Sequence, residues 1–96
     1  MTMYMNAVRF IAKKGMEAEF VNKFEDMDHT GLSQSYLIKT GERTFTGIGI
    51  FDTEQDLIEA RPTMIGNLDS VRGLLEEISP ELGVTDPVSG PVVYRL

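Results

Sequence analysis

Cysteine and tryptophan are both missing from this 96-residue chain, and histidine occurs once, at His29. Without thiols there is no disulfide framework, no thiolate nucleophile and no thiolate metal site. One imidazole does not make a zinc site of the usual kind, so no metal is expected. Positive charge is scarce as well: 9 Lys and Arg stand against 15 Asp and Glu, a net charge of −6. Phosphate backbones and anionic membranes need a basic face to displace their counterions, so neither nucleic acid nor membrane is an expected partner. No uncharged apolar run reaches membrane-spanning length, and the opening "MTMYMNAVRF" has no basic region ahead of an apolar core. A cytoplasmic location is the default expectation. There is also no Ser-His-Asp arrangement and no phosphate-binding glycine loop, and "GIGIFD" lacks the spacing of a dinucleotide fingerprint.

What is present describes one globular domain spanning residues 1–96, with 42% apolar and 25% charged residues. From Met3 to Ala12, "MYMNAVRFIA" reads as a strand that is apolar on both faces. Such a strand belongs in the centre of a sheet, covered from two sides. After "KKG" the period changes, and Met16, Phe20, Phe24 and Met27 recur at steps of three or four, which predicts an amphipathic helix ending at "DHTG". Two strands follow, Leu32 to Thr40 and Arg43 to Phe51, joined by "TGER", where Gly41 is expected to supply a positive φ.

In the second of these strands Phe45, Gly47, Gly49 and Phe51 share a face. The paired glycines remove side chains either for close helix packing or to leave room for a ligand. Thr53 is the expected N-cap of the next helix, with Asp56 three residues on. Leu57, Ala60, Met64, Leu68, Val71, Leu75 and Ile78 give it a long apolar stripe. Pro62 interrupts that stripe, which predicts a short helix to about Ala60 and a second opening at Pro62. A turn-rich "GVTDPVSG" then leads to "PVVYRL" as the expected last strand.

The order β-α-β-β-α-β is the ferredoxin-like split arrangement, an α+β fold with a four-stranded antiparallel sheet and both helices on one face. Two helices cover only one face, yet the first strand carries Met3, Met5, Ala7 and Ile11 on the other. The simplest partner is a second copy packed sheet to sheet, so a homodimer closed into an α+β barrel is expected. RNA-recognition domains share this element order but display aromatic and basic residues on the open face, where this chain has Met3, Met5 and Ala7.

The stretches "AVRFIAKKGMEAEF", "GIGIFDT" and "SGPVVYRL" together resemble the dimeric α+β barrel proteins, and among them the antibiotic-biosynthesis-monooxygenase-like group. That resemblance implies a pocket between sheet and helices that takes small aromatic or quinol-type compounds. It also implies, for some relatives, oxidation by oxygen with no metal or flavin cofactor. Where the strand before the second helix commonly ends in Trp, this chain has Phe51, and it has no His on that helix. Haem degradation, which the resemblance attaches to those two residues, is thereby excluded.

The resemblance makes Asn6 the candidate catalytic residue, on the helix-facing side of the first strand with Tyr4, Val8 and Phe10. It either hydrogen-bonds a phenol or a peroxide, or is an edge Asn tied to a loop. Tyr4, Val8, Tyr36, Phe51 and Met64 are the expected pocket residues. Arg9 falls on the barrel-facing side, where an ion pair across the dimer would satisfy it. His29 is either an acid-base group or a solvated loop residue in "EDMDHTG". The expected function is therefore a cofactor-independent monooxygenase-like enzyme, or alternatively a non-catalytic module that uses the same pocket for binding or interaction.

Overall fold

The computed structural model describes residues 2–96. Strand β1 is Tyr4–Ile11; helix α1 is Glu17–Lys23, running on as a 3-10 turn over Phe24–Asp26. Strands β2 (Gln34–Lys39) and β3 (Thr44–Phe51) form the hairpin, α2 is Glu54–Val71, and β4 is Asp86–Pro91. The sheet order is β2-β3-β1-β4 with every neighbouring pair antiparallel, which is the ferredoxin-like α+β fold. No helix among the described residues is long and apolar enough to cross a membrane.

Cross-strand register sorts the residues onto two faces. Phe10 pairs with Phe45, Val8 with Gly47, Asn6 with Gly49 and Tyr4 with Phe51, so these share the face under the helices. Phe10, Phe45 and Phe51 are buried there. Phe20 and Phe24 descend from α1 and the turn after it onto Phe10, with ring centroids 5.2–6.2 Å apart and edge-on or tilted geometry. On the opposite face one cross-strand row runs Val88, Ala7, Ile48, Tyr36, and its neighbours add Met5, Ile50 and Ile38. Tyr36, Ile38 and Val88 are exposed on it. This face carries the apolar row that the composition of β1 led one to expect, and nothing among the described residues covers it.

Three local expectations are corrected. Helix α2 continues through Pro62 instead of breaking there. The carbonyl deprived of its donor belongs to Ile58, and Ile58 and Pro62 both lie on the exposed side, where water takes the donor's place. The last strand is "DPVSGP" and not "PVVYRL". Antiparallel pairing fixes this: Tyr4 lies opposite Pro91, and after the Val92 N–H donates to the Met3 carbonyl at 2.8 Å, β1 offers no further partner among the described residues. Val93 and Tyr94 are left 91% and 79% exposed. The hairpin also closes without a positive φ at Gly41, where glycine serves another purpose, since a Cβ there would collide with the Thr44 hydroxyl. By contrast Thr53 caps α2 as expected, its hydroxyl accepting the Asp56 N–H at 3.1 Å.

Candidate functional site

The core under the helices is split. One cluster gathers Phe10, Ala12, Phe20, Phe45, Val71 and Leu75; a second, smaller one gathers Phe51, Leu57 and Ala60, with Tyr4, Leu32 and Met64 against it. Between them lies a cavity of about 360 Å³ whose lining is almost wholly apolar. The gap follows from the sequence of β3, where two glycines stand between the two phenylalanines on the inner face. Neither Gly47 nor Gly49 has a positive φ, so backbone conformation does not demand them. Space does. A Cβ at Gly49 would lie 2.6 Å from Asn6 Oδ1 and 2.8 Å from Leu32 Cδ2, and one at Gly47 would lie 3.3 Å from the Phe10 ring. The glycines serve both purposes weighed from the sequence: neighbours approach the sheet closely, and room remains.

Asn6 is the buried polar residue of this lining. It is 9% exposed, lines the cavity, and its carboxamide makes no hydrogen bond within the described part of the chain. Its amide is therefore open to whatever enters, with two N–H donors and one carbonyl acceptor. The edge-Asn alternative is excluded, because β1 is a central strand and no loop group binds Asn6.

The opposite wall is α2, which contributes Arg61, Met64, Ile65, Leu68 and Val71, a helical stripe. The loop from Met27 to Leu32 forms the third side. Asn67 of α2 holds that loop by two reciprocal bonds, its Oδ1 accepting the Asp28 N–H at 3.2 Å and its Nδ2 donating to the Asp28 carbonyl at 2.9 Å. Within the loop the Asp28 carboxylate accepts the Thr30 hydroxyl and N–H, which hold its carboxyl below the ordinary value. The His29 Nε2–H donates to the Phe24 carbonyl at 3.1 Å, a partner that only accepts, so Nδ1 is the ring's free nitrogen.

The expected site residues are only partly gathered. Asn6, Val8, Phe51 and Met64 line the cavity together. Tyr4 does not. It packs in the smaller cluster near the start of α2, where hydrogen bonding to the Glu54 carboxylate pushes its phenol above the ordinary value. Tyr36 borders the cavity from the sheet, but strand alternation puts its ring on the open face beside Ile48, with its hydroxyl donating to Gln34 Oε1 at 2.8 Å. Arg9 also lies on the open face, and its ion pair is within the chain, to Asp86 at 3.0 Å, its register partner on β4. His29 is exposed yet lines the cavity from the loop. Arg61 and Asn67 were not singled out from sequence. For Arg61 a signal was there: its helical neighbours Leu57, Ile58, Met64 and Ile65 are all apolar, an odd setting for a surface arginine.

No protein-family model matches the chain, and no curated protein matches it in sequence. Solved structures do. A protein of unknown function from Nitrosomonas europaea superposes with a TM-score of 0.75 at 20% identity, over 100% of this chain and 94% of its own. A mutant of SnoaB, a cofactor-independent oxygenase from Streptomyces nogalater, gives 0.75 at 14% identity over 98% and 96%. A dimeric ferredoxin-like protein from an uncultured marine organism gives 0.73 at 10% identity over 100% and 92%. The chain thus shares the fold of these proteins along nearly its whole length. Identities this low establish the fold and leave the chemistry to the residues.

Proposed function

We propose that this protein is a homodimeric, cofactor-independent monooxygenase-like enzyme acting on a small aromatic or quinol-type compound. The observation that carries the proposal is Asn6: a buried carboxamide with both ends free, facing a largely apolar cavity of a size that holds a compact ring system. Chemistry without a cofactor needs the substrate to supply the electrons. An aromatic ring with an activated CH2 meets that need, because converting CH2 to C=O uses one oxygen atom of O2 while the other leaves as water with the two hydrogens. The Asn6 N–H donates to the substrate oxyanion or to a peroxide formed from it, and the apolar walls strengthen that bond by excluding water.

Oxygen uptake with a panel of phenols, quinols and anthrone-like compounds tests this. Uptake with one class, reduced at least about tenfold by Asn6→Ala, is the expected result. Turnover that is unchanged in Asn6→Ala removes Asn6 from the mechanism.

A second reading has an observation of its own. The titratable side chains lining the cavity, His29, Tyr36 and Arg61, are all exposed, and none hydrogen-bonds Asn6. A pocket with no acid or base beside its buried polar group suits a module that binds without reacting. Ligand binding with no oxygen uptake across the panel selects that reading.

A further inference from the structure

Arg61 is the one formally charged side chain among the 21 residues that line the cavity, and none of the 21 is acidic, in a chain with 15 acidic residues. Its surroundings on α2 are apolar in both directions, with Leu57 and Ile58 a turn before and Met64 and Ile65 a turn after. It has no ion-pair partner among the described residues, whereas Arg9, Arg43 and Arg72 each have one, to Asp86, Glu76 and Asp69. An overall acidic chain has therefore placed an arginine without an ion-pair partner among the described residues on the wall of a largely apolar cavity. A guanidinium offers a planar fork that pairs with a carboxylate through two parallel bonds and stacks on flat rings.

We infer that the cavity selects planar aromatic carboxylates, with the ring system between the two halves of the core and the acid group on Arg61. This rests on the pocket reading above and adds the charge of the occupant to it. The two polar groups then divide the ligand between them. Asn6 serves a hydroxyl or carbonyl at the buried end, and Arg61 serves the carboxylate at the exposed end, where the acid stays partly hydrated and its desolvation cost is small. The absence of acidic lining residues removes the repulsion that the chain's net charge of −6 would otherwise impose on an anion.

The test is isothermal titration at neutral pH with 1-hydroxy-2-naphthoate and with its methyl ester, which has the same rings and no charge. Wild type is expected to bind the acid about tenfold or more tightly than the ester. Arg61→Gln is expected to abolish that preference. Arg61→Lys should keep part of it, because the charge remains and the fork is lost. Arg61 is exposed, so neither variant disturbs the core. Ester binding as tight as acid binding in wild type overturns the inference and leaves the pocket reading intact. A preference that survives in Arg61→Gln overturns it equally. Failure of both compounds to bind overturns the inference together with the pocket reading.

Discussion

Replacing Gly49 with alanine is the most direct probe of the inner surface of β3. The substitution removes backbone freedom from the unfolded chain, which by itself stabilises by about 0.4–1 kcal/mol where the native conformation accepts alanine. Gly49 is extended and accepts it. Its new Cβ, however, stands 2.6 Å from Asn6 Oδ1 and 2.8 Å from Leu32 Cδ2, so two side chains must swing away. Overpacking of this kind costs about 1–3 kcal/mol. The cost exceeds the gain, and a net loss of about 1–2 kcal/mol is expected, read as a shift in the denaturation midpoint at constant slope. Gly47→Ala is the internal control. Its Cβ is tight only against the Phe10 ring, at 3.3 Å, with Leu37 and the Val8 carbonyl at an ordinary 3.9 Å, so a shift of a few tenths of an ångström suffices and stability should stay within about 0.5 kcal/mol of wild type. Both variants narrow the cavity, but Gly49→Ala also moves the Asn6 carboxamide and should weaken binding of any ligand that uses it. A Gly49→Ala protein as stable as wild type would refute the account of why glycine stands there.

Two further outcomes are expected. Ile48 sits between Ala7 and Tyr36 on the uncovered sheet face, so Ile48→Glu should convert a dimer of twice 10.7 kDa into a monomer by light scattering with its circular dichroism unchanged; a wild-type monomer, or a variant that stays dimeric, refutes the sheet-to-sheet arrangement. The Asp28 carboxyl is held below its unfolded value by Thr30, so its contribution to the loop is present above that value and is lost as pH falls through the lowered one. The Thr30 amide resonance should therefore titrate below the ordinary Asp value of about 3.9, and a midpoint at or above it would contradict the hydrogen bonds drawn here.

The fold was legible because β1 is apolar on both faces and the period changes to a helical one directly after it, which puts it in the middle of a sheet whichever way the helices pack. The errors came where a partner, not the local sequence, decides. "PVVYRL" has the better strand composition, yet pairing with β1 is decided by register, and "DPVSGP" lies opposite it despite two prolines, which an edge strand tolerates. Pro62 carries a strong local breaking signal, overridden because its orphaned carbonyl faces water while Ala60 and Leu57 are anchored in the core. In the candidate site the same division holds. The faces of Asn6, Val8, Phe51 and Met64 followed from strand and helix periods. Tyr4 shares that face but packs against the smaller cluster instead of the cavity, which the strand period alone does not show, and Asn67 was invisible because its role is a bond to a loop 39 residues away.

The division of the core into unequal halves also links occupancy to how long a molecule of this protein lasts in a cell. A ligand lying between the halves serves as missing core, contacting both clusters at once, and it binds only the folded chain. Native-state binding of this kind adds about 2.7 kcal/mol when free ligand stands at a hundred times its dissociation constant. Against the few kcal/mol that separate folded from unfolded in a domain of this size, that is enough to lower the fraction open to proteases about a hundredfold. The amount of protein present would then rise and fall with the supply of its ligand, with no change in its synthesis.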